Sequence, residues 1–125
     1  MGRMKKNELI NLIESLGIPY DDFYILSSSA LVLREILSDA GDLDIAVNQK
    51  GFDALSKKYD LVNTHDNWYK VTDNIECILK VFNDKDIEKV GKYNLENLET
   101  YYNFIKNSER EKDKLRIPLV EKALK

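Results

Sequence analysis

The stretch Tyr24–Val47, YILSSSALVLREILSDAGDLDIAV, decides how this chain is read. It spells a strand, a tight turn of small hydroxyl residues, an amphipathic helix, a loop, and a second strand carrying two carboxylates. Asp42 and Asp44 lie two residues apart, so an extended strand turns both side chains to one face. Leu43, Ile45 and Val47 turn to the other face and suit a buried core. Neighbouring carboxylates repel one another unless something positive sits between them. A divalent cation is the usual answer, because hard carboxylate oxygens suit Mg²⁺. Upstream, Ser27-Ser28-Ser29 runs straight into the helix, whose first backbone N–H groups would hold a phosphate. A phosphate-binding turn beside metal-binding carboxylates is equipment for chemistry on a nucleoside triphosphate.

Outward from this stretch, hydrophobic spacing lays out the rest. Leu9, Leu12, Ile13 and Leu16 predict a helix over 5–16, stopped by Gly17 and Pro19. Phe23–Leu26 is the first strand, Ala30–Leu37 a helix capped by Ser29, Ser38–Gly41 a loop, and Asp42–Val47 the second strand. A further helix runs from Asn48 to about Tyr59. Leu61–Thr64, Trp68–Thr72 and Ile75–Phe82 are strands, the last two joined by the turn Asp73-Asn74. On the last strand Ile75, Cys77, Leu79 and Val81 share one face, and Glu76, Ile78 and Lys80 the other. Asn83–Gly91 reads as a loop. Leu95, Leu98, Tyr102 and Ile105 mark a helix, and another starts near Glu109, with a kink or restart expected at Pro118.

The chain has 125 residues, 43% apolar and 33% charged, which suits one globular domain over 1–125. Its core is expected over 1–90 and a helical pair over 91–125. The class is α/β (α+β): a mixed β-sheet flanked by helices. The net charge of −3 argues against generic binding to nucleic-acid backbones. Cys77 is the only cysteine, so no intrachain disulfide forms, and a reducing, cytoplasmic setting is expected. No apolar run approaches the roughly 20 residues that span a bilayer, and the start MGRMKKNE does not read as a signal peptide.

The order "apolar strand, small-small-Ser, Ala-Leu-x-Leu helix, short loop, Asp-apolar-Asp-apolar" resembles the nucleotidyltransferase superfamily. The likeness is greatest to small bacterial and phage-borne members, including nucleotidyltransferase toxins of abortive-infection systems. It covers Tyr24–Val47 and continues more loosely to SEREKDKLRI (Ser108–Ile117), similar to a basic-Lys-Asp segment of such proteins. The resemblance implies a nucleotidyltransferase-like sheet and Mg-dependent transfer of NMP from an NTP to a hydroxyl acceptor. Two Mg²⁺ ions would activate the acceptor and stabilise the leaving pyrophosphate. The acceptor is a protein side chain, an RNA 3′ end or a small molecule. In so short a chain a protein partner or homodimer would help to recognise it.

The resemblance implies Asp42 and Asp44 as metal ligands, with Glu76 as third carboxylate and general base, and Asp73 as its alternative. Ser28 and Ser29 would face the β- and γ-phosphates. Lys112 or Lys80 would neutralise the triphosphate, with Arg110 and Asp113 beside Lys112. Each has a plainer reading: solvated strand carboxylates, a helix cap, and a salt-bridged helix face. The family carries glycine where this chain has Ser27 and Ser28, and glycine admits closer backbone approach. A catalytically decayed, regulatory member in a toxin–antitoxin or phage setting is therefore the rival reading. His65 lacks partners for a zinc site or a triad, and Cys77 reads as core. Trp68, Tyr69, Tyr101, Tyr102 and Phe104 are able to stack on a base, though such residues usually fill cores.

Overall fold

In a computed structural model, which describes residues 3–125, the chain forms a mixed sheet with helices against it. The elements are β1 (Met4–Lys5), α1 (Lys6–Ser15), β2 (Phe23–Ile25), α2 (Ser27–Leu33), β3 (Asp39–Ala40), β4 (Leu43–Val47), α3 (Gln49–Lys58), β5 (Val62–His65), β6 (Trp68–Thr72), β7 (Ile75–Leu79), β8 (Ile87–Val90), β9 (Tyr93–Glu96), α4 (Leu98–Ile105) and α5 (Glu111–Leu124). Seven strands form the main sheet in the order β5-β6-β7-β4-β2-β9-β8, and β1 pairs with β3 apart from it. β4 runs parallel to β7, and β2 parallel to β9; the other pairs are antiparallel. This is an α+β architecture. No described helix is long and apolar enough to cross a membrane.

Period-two alternation sorts the sheet into two faces. Ile25, Leu43, Ile45, Val47, Ile75, Cys77 and Leu95 face a core closed by Leu9 and Ile13 of α1, Ala30 and Val32 of α2, and Leu55 of α3. A second cluster joins Leu31 of α2 to Leu98, Tyr101 and Ile105 of α4 and Val120 of α5. It anchors the helical pair, so that α4 overhangs part of the second sheet face.

Several boundaries differ from the expected ones, each for a local reason. Helix α2 begins at Ser27 with Leu26 at the capping position, so Ser29 is not the cap. It ends four residues early, because Glu35 takes a left-handed φ of 64°. The N–H groups of Glu35 and Ile36 then bond back to the carbonyls of Val32 and Leu31, a Schellman closure without the usual glycine. The expected loop 83–91 contains strand β8, and Gly91, at φ 63°, turns it into β9. Leu95 is accordingly a buried strand residue of β9, between β2 and the edge strand β8, and the 91–125 segment is not wholly helical. Leu95 and Leu98 mimic helical spacing across a boundary set by Asn97, whose side chain accepts the Thr100 N–H. β7 ends at Leu79, leaving Val81 92% exposed. Helix α5 passes through Pro118 without a restart. Pro118 and Lys114 are exposed, so water can reach the Lys114 carbonyl that the proline leaves unbonded.

Gly51 sits inside α3, where alanine is intrinsically better by about 1 kcal/mol. A Cβ there would collide with the Asp22 carbonyl. Gly51→Ala is therefore expected to destabilise by about 2 kcal/mol in urea unfolding, against its helix propensity. Glu35→Gly should instead stabilise by about 1 kcal/mol, by relieving the left-handed backbone. A gain from the first or a loss from the second would contradict the packing described.

Candidate functional site

Strand register brings the expected carboxylates together. Asp44 of β4 is the direct neighbour of Glu76 of β7, and Glu76 in turn pairs with Lys70 of β6. Parallel neighbours in register share a face, so both carboxylates lie on the second face, away from the α1–α3 core. Asp42 precedes the strand and is exposed, while Asp44 and Glu76 are half-buried. Burial, then the charge of Glu76, then that of Asp42 push the Asp44 pKa up to about 6. The opposing influences come from Lys112 and Arg116 on α5. These two are one helical turn apart and so share a face of α5, which turns positive charge toward the carboxylates. Asp73 does not join the group: it is 87% exposed and pairs with Lys70 at 3.3 Å.

The serine turn is committed to other work. Ser29 is wholly buried; its hydroxyl donates to the Asp42 carbonyl (2.8 Å) and accepts the Asp44 N–H (3.2 Å). It thus fastens α2 to the strand that carries the carboxylates. Ser27 adopts a φ of 51°, where glycine is favoured, and its N–H donates to Glu96 Oε1 at 3.0 Å. The anion at this turn is the protein's own carboxylate. Burial raises the Glu96 pKa, opposed by the Ser27 bond and by Lys80. Ser28 follows, half-buried.

Lys80 lies past the end of β7, near the Tyr24 hydroxyl and Glu96 rather than beside Asp44. Asp113 is fully buried and accepts bonds from the Ser108 hydroxyl (2.7 Å) and Arg110 Nε (2.8 Å). Burial alone would raise its pKa, but these bonds hold it below the ordinary carboxylate value. Asp113 therefore ties the start of α5 to the preceding turn and sets the direction of the Lys112–Arg116 face. Cys77 is buried in the core, and burial followed by the Glu76 charge raises its thiol to about 11. His65 stacks on Trp68 at 6.3 Å.

Two residues escaped the sequence reading. Arg116 was legible as the position one turn after Lys112. Glu96 carried no signal, because only the parallel β2–β9 pairing brings it to Ser27. As a test of fit, no three His, Cys, Asp or Glu side chains among the described residues converge to hold a metal ion. Asp44 and Glu76 nonetheless concentrate negative charge in a half-buried place. That suits Mg²⁺, which usually takes one or two carboxylates and completes its shell with phosphate oxygens and water. No family model, curated protein or solved structure matches the chain.

The raised Asp44 pKa has a definite consequence for stability. Its folded value of about 6 exceeds its ordinary 3.8, so the folded state favours the protonated acid. The penalty is absent below about pH 4, grows as pH rises through about 6, and reaches about 3 kcal/mol at most. Asp44→Asn is expected to raise the melting temperature at neutral pH without metal, and the difference should close in acid. A pH-independent difference would refute this electrostatic account.

Proposed function

We propose that this protein is a nucleotidyltransferase-like enzyme that transfers NMP from an NTP to a hydroxyl acceptor at Asp42, Asp44 and Glu76. The observation that carries the reading is the in-register pair Asp44–Glu76, with the raised pKa of Asp44 and the Lys112–Arg116 face opposite. Such a site combines ligands for a cation with counter-charges for a polyphosphate.

In the proposed reaction the acceptor oxygen forms a bond to the α-phosphorus. The bond from that phosphorus to the bridging oxygen breaks, pyrophosphate leaves, and the acceptor proton passes to a carboxylate. Bound Mg²⁺ would supply charge neutralisation and orientation for this displacement. Asp44, with Glu76 beside it, would hold the cation. Glu76 would also accept the proton, as a carboxylate positioned beside the reacting hydroxyl does in general base catalysis. Lys112 and Arg116 would neutralise phosphate oxygens, while Ser29 keeps Asp42 and Asp44 in place through their backbone.

One observation favours the regulatory alternative on the same scaffold: at the serine turn, beside the Ser28 and Ser29 expected to face the phosphates, the Ser27 N–H is already held by Glu96. The two readings separate in one assay. Purified protein is incubated with each α-labelled NTP, Mg²⁺ and a cell lysate, and label is sought on protein, RNA and small molecules. The wild type should transfer label. Asp44→Asn should lose roughly a hundredfold or more in rate while remaining folded. Mg-NTP binding without transfer would favour the regulatory reading, and full transfer by Asp44→Asn would remove these carboxylates from the chemistry.

A further inference from the structure

A cleft of about 250 Å³ opens between the second sheet face and α4. That is just below the roughly 300–1,000 Å³ of sites for drug-sized ligands, and suits a fragment the size of a base. Its floor includes Ile78, which pairs with Trp68 on one side and Ala46 on the other. This row lies two residues along β4 and β7 from Asp44 and Glu76, hence about 7 Å away on the same face. A group held in the cleft is therefore a short link from the carboxylates.

The walls are of two kinds. Trp68 on the sheet and Phe104 on α4 are aromatic, and Phe104 is 60% exposed. It contributes little to the core, and its ring is free to cover a planar ligand. The charged lining is Lys80, Asp86 and Glu96, two carboxylates against one ammonium. A lining richer in acceptors selects ligands that offer N–H groups.

We propose that this cleft binds a nucleobase carrying an exocyclic amine, stacked against Trp68 and Phe104 and read by Glu96 and Asp86. The inference takes its ligand class from the nucleotide reading above. Adenine, cytosine and guanine each bring an amine that a carboxylate accepts, as Glu and Asp accept from cytosine N4 in DNA recognition. Uracil has one base N–H, flanked by two carbonyl oxygens that the carboxylates repel. Stacking supplies affinity without choosing among bases; the carboxylates supply the choice.

Trp68 is the only tryptophan, so its fluorescence reports on the cleft directly. The intact protein is titrated into the millimolar range with adenosine, cytidine, guanosine and uridine, without phosphate or metal. At least one of the first three should change the signal saturably, and uridine should not. Phe104→Ala, at an exposed position, should weaken the binding about tenfold, and Glu96→Gln should narrow the gap to uridine. No saturable change with any nucleoside, equal binding of uridine, or no effect of Phe104→Ala would each overturn the inference. A parallel titration with inorganic triphosphate and Mg²⁺, followed by calorimetry on wild type and Asp44→Asn, tests the carboxylate site alone. Triphosphate binding without nucleoside binding would spare that site and sink this inference; the reverse would leave a nucleoside cleft without the proposed chemistry.

Discussion

The parallel pairing of β4 with β7 is the contact on which the rest depends. It runs in register from Leu43 opposite Ile75 to Val47 opposite Leu79. Leu43, Ile45, Val47, Ile75 and Cys77 are buried on one face by this pairing, and Asp44 is set beside Glu76 on the other. A one-residue slip would put the apolar set on the wrong side and carboxylates into the core. The energetics of the core thus enforce the geometry of the acidic pair, although the pair contributes nothing favourable itself.

The acidic pair is a local cost accepted within a stable frame. Asp44 is half-buried beside like charge, and the cations opposite it come from a helix anchored elsewhere. That helix is fixed by Val120 against Leu31, Leu98, Tyr101 and Ile105, and by the buried Asp113 at its start. Arg116 Nη1 also donates to the Tyr101 hydroxyl at 3.2 Å, which steadies the guanidinium. The C-terminal helices therefore serve both as a hydrophobic cover and as the carrier of the site's positive charge.

The serine turn shows how two neighbouring residues of one type acquire different work. Ser29 is buried and bridges the backbone on either side of Leu43, so its hydroxyl is structural. Ser27 takes the left-handed conformation, and its N–H is satisfied by a carboxylate from β9. An unmet N–H at such a half-buried place would be costly, and Glu96 removes that cost while adding negative charge beside Lys80.

Local chemistry determined much of this protein. Alternation in Leu43–Val47 placed its apolar residues inward, spacing in Leu9–Leu16 marked α1, and the Asp42-Leu43-Asp44 pattern put the acidic residues together. These are short-range consequences of strand and helix periodicity, which a sequence displays directly. The strand β8, the strand role of Leu95 and the passage of α5 through Pro118 were not legible in this way. An edge strand with polar residues resembles a loop, and a proline's cost depends on whether water reaches the orphaned carbonyl. Among the site's partners, Glu96 was equally hidden. It meets Ser27, and Arg116 joins the expected Lys112 opposite Asp44, across separations that only the packing of β9, α4 and α5 closes. Sequence supplies the chemical groups and their local direction, while tertiary structure decides which distant charge each one meets, because electrostatics depends on distance in space and on burial.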